Sequence, residues 1–282
     1  MDTCQGGAAS GNSCQSEAQG QEVRLRENLS HIRRKLLVMS GKGGVGKSSV
    51  AVHLALALAN LGHRVGLLDV DLHGPSIARM LGLKGMLGSD EDKGCLIPQS
   101  YNDRLKVVSI ECLLEDRDSA IIWRGPLKHG VIKQFIAEVD WGDLDFLVID
   151  SPPGTGDEPM SVAQSIPDAE AIIVTTPQEI ALADVRKSIN FCRTMHMAIL
   201  GLVENMSGFV CPHCGEALDL FSTGGGARTA KEMRILFLGK LPIDPRVVEN
   251  ADKGKTVLDD SGPFSQALAD VADRVLAGMA GL

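Results

Sequence analysis

The octapeptide Gly41-Lys42-Gly43-Gly44-Val45-Gly46-Lys47-Ser48 decides the fold class of this chain. It matches the pattern G-x-x-x-x-G-K-[ST], and it lies between a short apolar run, 35–39, and a helical pattern, 47–61. In such a loop the glycines let successive N–H groups turn towards phosphate oxygens, and the helix N-terminus adds a favourable dipole. The sequence therefore predicts a phosphate-binding loop for a nucleoside triphosphate.

Individual positions of this loop have expected roles. Lys47 is predicted to reach the β- and γ-phosphates, Ser48 to ligate Mg²⁺ and Ser49 to bond the α-phosphate. The other predicted nucleotide-binding positions of the loop are Gly41, Gly43, Gly44, Val45 and Gly46. The alternative interpretation is a glycine-rich strand–helix turn that holds no ligand.

Outward from the loop, short apolar runs alternate with helical patterns. Strand-like runs lie at 35–39, 64–68, 105–110, 146–149, 171–175, 198–203 and 235–238. Helical patterns lie at 47–61, 75–81, 126–139, 159–165, 182–195, 227–233 and 263–279. Strands that are apolar on both faces and separated by helices are typical of a mostly parallel sheet with helices on both faces. We expect an α/β fold, with one P-loop domain over 31–282 after a mobile polar tail over residues 1–30.

Composition narrows the function classes. The 28 basic and 36 acidic residues give a net charge of −8, which argues against indiscriminate nucleic-acid binding because phosphate neutralisation needs clustered Lys and Arg. No apolar run approaches the ~18 residues of a membrane span. The seven cysteines are unevenly spread behind an N-terminus without a secretion signal, as in a reducing compartment. We expect a cytoplasmic protein with no membrane and no nucleic-acid partner.

Acidic residues follow two of the strand-like runs, where an open parallel sheet binds its ligands. Asp69 and Asp71 follow one run, and Asp150 follows another. Asp150 is predicted to hold Mg²⁺ directly or through water, and Asp71 to orient the attacking water. Asp69 is predicted to support the metal shell, with capping of the next helix as its alternative. Phosphoryl transfer needs positioning and charge neutralisation, for which two acids, a lysine and Mg²⁺ suffice.

Lys42 directly follows the first glycine of the loop. The form Lys-Gly-Gly-Val-Gly-Lys-Ser resembles the deviant Walker A loop of the MinD/ParA-like ATPases. The resemblance implies a nucleotide-dependent homodimer in which Lys42 reaches the partner's nucleotide as a catalytic group. It also implies that Asn205, Pro242 and Asp244 frame the adenine. A solvated loop lysine and a turn-forming asparagine are the alternatives for Lys42 and Asn205.

Cys211 and Cys214 are the only closely spaced pair among the cysteines. A zinc site would need two further ligands, for which no suitably spaced residues are present. A redox dithiol is a second interpretation, although such motifs follow an early strand in thioredoxin-like units. The third, which we favour, is a [4Fe–4S] cluster that bridges two subunits, because two thiolates from each side of a two-fold axis make four.

Six motifs occur in one order along the chain. They are Ser40-Gly41-Lys42-Gly43-Gly44-Val45-Gly46-Lys47-Ser48, Asp69-x-Asp71-x-x-Gly74-Pro75-Ser76, Trp123-Arg124-Gly125-Pro126, Asp150-x-Pro152-Pro153-Gly154-Thr155-Gly156-Asp157, Glu204-Asn205-Met206-Ser207 and the late Cys-x-x-Cys. Together they resemble the Mrp-type (ApbC-like) P-loop ATPases, the iron–sulfur cluster carrier family. The resemblance implies ATP binding and hydrolysis, a homodimer, a labile [4Fe–4S] cluster at Cys211 and Cys214, and its transfer to apo-proteins.

One departure concerns the N-terminus. Eukaryotic cytosolic relatives carry a four-cysteine cluster motif there, whereas this chain offers Cys4 and Cys14. Two alternative functions stay open: a MinD/ParA-like positioning or regulatory ATPase, and a zinc-stabilised ATPase without a carrier role.

Overall fold

The computed structural model describes residues 10–72, 74–90, 92, 94–113, 125–211, 213–257 and 262–280. In chain order its elements are α1 Ser10–Ser30, β1 Ile32–Ser40, α2 Lys47–Asn60, β2 Val65–Asp69, α3 Ile77–Met80, β3 Gly88–Asp90, β4 Cys95–Ile97, β5 Gln99–Ser100, β6 Leu105–Ser109, a 3₁₀ helix Ile110–Leu113, α4 Gly125–Glu138, β7 Leu144–Asp150, α5 Asp157–Ser165, β8 Glu170–Thr175, α6 Glu179–Thr194, β9 Ala198–Glu204, β10 Phe209–Val210, β11 Ala217–Leu218, α7 Gly225–Glu232, β12 Phe237–Lys240, α8 Pro245–Asp252 and α9 Pro263–Ala280.

Eight strands form the central sheet, in the order β12-β9-β8-β1-β7-β2-β6-β5. All neighbours pair in parallel except β5, which runs antiparallel to β6 at the edge. The parallel strands therefore end at one edge of the sheet, and β1 lies between β7 and β8 near its middle. This confirms the predicted α/β fold class.

Both faces of the sheet are buried, as the alternation within β1 illustrates. Leu36 and Val38 belong to the apolar core shared with α2 and α9, whereas Leu37 and Met39 belong to the core shared with α4, α5 and α6. A strand with both faces covered reads as a continuous apolar run, which is why the sequence pattern identified the strands of the sheet centre.

The N-terminal segment differs from the prediction of a mobile tail over residues 1–30. The helix α1 ends at Ser30, and its last part contributes Leu25 and Leu29 to the core that contains α4. Lys133 of α4 donates to the Glu22 carboxylate at 2.7 Å. Two leucines four residues apart cover one helical face, but in a polar segment they were too sparse to suggest burial. The tail assignment is therefore corrected for this part of the chain.

The sequence patterns predicted no strand or helix at several short elements. The hairpins β3–β4 and β10–β11 have strands of two or three residues, too short to establish a period of two. The helix α8 has eight residues and none of them is fully buried, so its apolar pattern is too short to establish a helical period. None of the described helices is long and apolar enough to cross a bilayer.

Candidate functional site

The phosphate loop joins β1 to α2, and acidic residues end the neighbouring strands. Asp150 of β7 pairs in register with Val38 of β1 on one side and with Asp69 of β2 on the other. The sheet therefore brings the predicted acids from distant positions in the chain to one place beside the loop.

Lys47 lies between two of these carboxylates. Its ammonium Nζ is 2.5 Å from Asp150 Oδ1 and 3.9 Å from Asp71 Oδ2, and all three side chains are buried. Nζ also lies 3.4 Å from the Ser48 hydroxyl. A buried cation between two buried anions offsets their desolvation, so the lysine stabilises the site as well as supplying positive charge.

Asp150 keeps one oxygen without a partner. Its Oδ2 atom is buried and has no hydrogen-bond donor among the described residues. Burial raises the pKa of this carboxyl, and the charge of Lys47 opposes the increase. An unsatisfied anionic oxygen close to a serine hydroxyl matches the hard oxygen donors that Mg²⁺ takes, so Asp150 and Ser48 fit that ion.

Asp69 has different contacts. Its Oδ1 accepts from the Asp71 backbone N–H at 3.1 Å, and its Oδ2 accepts from the Ser76 N–H at 3.2 Å and from the Ser109 hydroxyl at 3.1 Å. Burial, with the charge of Asp150 second, raises its pKa to about 7. Both oxygens are engaged with the turn that leads into α3. These contacts are those of a helix-capping carboxylate, and the predicted support of the metal shell by Asp69 stays a prediction.

Asn205 contacts the phosphate loop directly. Its Nδ2 donates to the Val45 carbonyl at 2.9 Å, and a Cβ at Gly46 would collide with that same amide. Asn205 is buried, and its own N–H donates to the Thr175 carbonyl at 2.7 Å. For this residue we expected base recognition, with a turn-forming asparagine as the alternative. In the structure Nδ2 donates one of its two hydrogens to the loop, and the predicted recognition of a base by this amide stays a prediction.

A glycine series in the loop gives a testable expectation. Gly44 and Gly46 both have φ near 79°, but a Cβ meets nothing at Gly44. At Gly46 it would force Asn205 to release the Val45 carbonyl. We expect Gly44→Ala to lower the free energy of unfolding by about 1–2 kcal/mol, from backbone strain. Gly46→Ala should cost a further 1–3 kcal/mol or so, from overpacking.

Urea unfolding of the nucleotide-free protein measures this series. Gly43→Ala is the matched control, because Gly43 has an ordinary φ and open space where a Cβ would lie. Equal losses for Gly44→Ala and Gly46→Ala would show that the contact with Asn205 does not constrain the loop.

The remaining loop residues lie at the surface of the site. Lys42 is half-buried, and no ion-pair partner of its ammonium occurs within the described ranges. Gly41 packs so closely on the backbone of Asp184 in α6 that a Cβ would not fit. The Ser49 hydroxyl lies 3.4 Å from His53 Nδ1, one turn along α2.

Pro242 and Asp244 lie in the loop between β12 and α8. Asp244 caps α8 by accepting from the Arg246 N–H at 3.0 Å, and the Arg246 guanidinium approaches its other oxygen at 2.7 Å. The hydrogen bond from the Arg246 side chain holds the Asp244 pKa below its usual range. These contacts engage both carboxylate oxygens, and the expected role of Asp244 in framing the adenine stays a prediction. Pro242 lines an adjacent cavity of about 450 Å³, together with Val210 and Pro263.

The two close cysteines lie in the turn of the hairpin β10–β11. The Cys211 N–H donates to the Glu216 carbonyl at 2.9 Å, and the Gly215 N–H donates to the Cys211 carbonyl at 2.8 Å. Cys211 is half-buried, Cys214 is exposed, and both are free thiols. The N–H groups of Cys214 and then His213 point at the Cys211 sulfur and lower its pKa, which favours the thiolate that binds metal.

The cysteine hairpin, defined as residues 209–218, is largely exposed to solvent. Every described residue from His213 to Gly224 is exposed, and the exposed large apolar side chains here are Val210, Leu218, Leu220 and Phe221. Among the described residues no group of three or more His, Cys, Asp or Glu could hold a metal ion. The described chain thus brings two thiols, and no third ligand, to the place where a metal would bind.

Among the cysteines whose side chains the structure describes, the others form no comparable close pair. Cys112 and Cys192 are buried, and burial raises the pKa of the Cys192 thiol to about 11. Cys4, Trp123 and Arg124 lie outside the described residues, and Cys14 falls in the first half of α1, where side chains are not described.

Comparison with known families identifies the class of protein. Residues 31–276 match the family described as NUBPL iron-transfer P-loop NTPase, of the ParA type. The chain belongs to this family. The predicted membership of the iron–sulfur cluster carrier family is confirmed.

Relatives in this family match most of the chain. The cytosolic Fe-S cluster assembly factor CFD1 of Kluyveromyces lactis is 51% identical over 243 residues, which are 84% of this chain and 86% of that protein. The iron-sulfur cluster carrier protein of Methanocaldococcus jannaschii is 49% identical over 235 residues, or 83% of this chain and 81% of that one.

Solved structures confirm the fold. A nucleotide-binding protein from Archaeoglobus fulgidus, in complex with ADP, superposes with a TM-score of 0.75 at 39% identity and covers 87% of this chain and 95% of its own. The cell division ATPase MinD of Pyrococcus furiosus superposes with a TM-score of 0.65 at 23% identity, covering 87% and 99%. The second likeness bears on the fold alone.

Glu204 belongs to one of the six sequence motifs, but no role was predicted for it. In the structure this carboxylate is fully buried and accepts from the Ser207 hydroxyl at 2.5 Å and from the Gly224 N–H at 3.0 Å. The sequence signal that could have indicated its role is an acidic residue at the end of an apolar strand, followed later in the chain by a Gly-Gly-Gly run.

Proposed function

We propose that this chain is a cytosolic ATP-binding and ATP-hydrolysing carrier that holds a [4Fe–4S] cluster across a homodimer and delivers it to apo-proteins. The observation that carries the proposal is the exposed cysteine hairpin, because it presents two free thiols where the described residues supply no third ligand. Four thiolates complete such a cluster, so a second copy of the hairpin supplies what one chain lacks. The names of the K. lactis and M. jannaschii relatives support the same cargo.

ATP binding is supported by the loop and by ADP in the A. fulgidus relative. The N–H groups of the loop and the N-terminus of α2 would hold the phosphates. Lys47 would turn from Asp150 towards the β- and γ-phosphates, and Asp150 would then be free to join Ser48 at Mg²⁺. Mg²⁺ supplies neutralising charge to the phosphate oxygens. Asp71, whose Oδ2 lies 3.9 Å from Lys47 Nζ, would orient the attacking water.

Recognition of the adenine base is proposed to involve Asn205 and the cavity next to Pro242. Asn205 Oδ1 can accept from the adenine amino group while Nδ2 holds Val45. The cavity next to Pro242 offers an apolar surface of suitable size for a ring. Asp244 would contribute by capping α8 and fixing that wall.

The second subunit is proposed to act at the nucleotide as well as at the cluster. Lys42 is half-buried and has no ion-pair partner in the described part of the chain, so its ammonium is available to the γ-phosphate in the other subunit. A cation brought to the phosphate by dimerisation would make hydrolysis depend on the dimer.

Mixing two inactive variants tests this arrangement. Lys42→Ala removes the cation given to the partner, and Asp71→Asn disables a subunit's own site. If Lys42 acts across the interface, a mixed dimer regains one complete site, and an equimolar mixture should recover about a quarter of wild-type ATP hydrolysis. No recovery after verified subunit exchange would mean that Lys42 acts within its own subunit. Each variant assayed alone is the control.

A further inference from the structure

Two consecutive residues at the end of β9 contact the two functional regions. Asn205 donates to the Val45 carbonyl of the phosphate loop at 2.9 Å. Glu204 accepts from the Ser207 hydroxyl at 2.5 Å, just before the cysteine hairpin, and from the Gly224 N–H at 3.0 Å, just after it. The loop and both ends of the hairpin segment are thus held by neighbouring side chains.

The backbone between these contacts is fixed on both sides. The Asn205 N–H donates to the Thr175 carbonyl of β8 at 2.7 Å, and the Leu241 N–H after β12 donates to the Glu204 carbonyl at 2.8 Å. Met206, the next residue, has φ of 56°, which is rare for a side chain of this kind. Its Cε lies against Gly46 of the loop. Because these contacts fix the backbone of residues 204–206, a displacement of the phosphate loop would move this segment as a unit.

The Glu204 carboxylate is well suited to hold the hairpin. It is fully buried, and it also accepts from the Gly226 N–H in the first turn of α7. A carboxylate that accepts several donors at a helix N-terminus is stabilised by charge-assisted hydrogen bonds and by the helix dipole. Losing its charge would weaken the contacts on both sides of the cysteine hairpin together.

We propose that Glu204 is a positioning residue that transmits the nucleotide state of the phosphate loop, through Asn205, to the cysteine hairpin. It touches neither nucleotide nor cluster. It sets how the thiols of Cys211 and Cys214 are presented when the loop is filled or empty. This proposal rests on the proposed function for its biological meaning, but the contacts can be tested without iron.

The test measures thiol reactivity in the reduced, metal-free full-length protein. Iodoacetamide alkylation of Cys211 and Cys214 is followed by peptide mass spectrometry with and without a non-hydrolysable ATP analogue and Mg²⁺. In the wild type we expect the analogue to change the rate about fivefold or more, the lower end of ordinary coupling between sites. In Glu204→Gln the response should fall to less than about twofold, while analogue affinity, measured separately, stays within about twofold of wild type.

The matched control is Glu179→Gln. Glu179 also contacts α7, through Arg228 at 2.5 Å, but both side chains are exposed. It should keep the wild-type response. If Glu204→Gln does not fold, Ser207→Ala removes one of the same contacts and should reduce the response. The proposal is overturned if the wild type shows no response, if Glu204→Gln responds fully, or if Glu179→Gln loses the response equally. Failure of the carrier function would appear instead as wild-type protein that takes up no iron on anaerobic reconstitution, while the thiol response of the metal-free protein stays intact.

Discussion

Replacing Lys47 with methionine is expected to abolish ATP hydrolysis and also to lower the free energy of unfolding of the nucleotide-free protein by about 3–5 kcal/mol. Hydrolysis should be lost because the γ-phosphate loses its principal cation. Stability should be lost because Asp150, whose Oδ1 lies 2.5 Å from Nζ, stays buried without its counter-ion beside Asp69. ATP turnover and urea unfolding measure the two effects.

Lys42→Met is the matched control for the stability effect. Lys42 lies in the same loop but is only half-buried and lacks an ion-pair partner within the described residues, so its removal should change stability by no more than about 0.5 kcal/mol. Hydrolysis should still be lost if it acts on the partner's nucleotide. A Lys47→Met variant as stable as wild type would contradict the buried ion pair.

Replacing Cys211 and Cys214 together with serine is expected to eliminate iron binding and leave the fold intact. The thiols lie in an exposed turn, so their loss removes both cluster ligands and little packing. We expect iron below about a tenth of the wild-type content, because a [4Fe–4S] cluster held by four thiolates would lose them all. The thermal midpoint and ATP affinity should stay near wild type.

Iron and sulfide analysis after anaerobic reconstitution measures that effect. Cys95→Ser is the control, because Cys95 is half-buried in β4, outside the cysteine hairpin, and its replacement should leave the iron content unchanged. Retention of the cluster in the double serine variant would move the site elsewhere in the chain.

The features predictable from sequence are those whose chemistry is local along the chain. The glycine-rich loop and Lys47 form one continuous motif, and the buried strands read as apolar runs. Asp150 could be predicted as a partner of that motif because parallel strands end at one edge. In the structure the Lys47 ammonium donates to the Asp150 carboxylate, as the position of both residues at that edge allows.

The features that sequence left out depend on contacts between distant residues or on competition for one side chain. Asn205 and Val45 are 160 positions apart, and no pattern in either segment suggests their hydrogen bond. Asp69 was a candidate both for the metal shell and for a helix cap. Only the folded structure shows that the backbone N–H groups of Asp71 and Ser76 donate to its carboxylate. Asp244, by contrast, precedes Pro245 in the arrangement typical of a helix start, so its cap was predictable.

The central claim is that one cluster is shared by two copies of this chain. Its most direct test is the anaerobic count of iron, sulfide and zinc per particle, with the visible spectrum and the particle mass measured on the same sample. The account predicts about four iron and four sulfide per dimer of the 30.0 kDa chain, with the broad visible absorption of a cluster. A colourless dimer with one zinc, or a full cluster on a monomer, would contradict it.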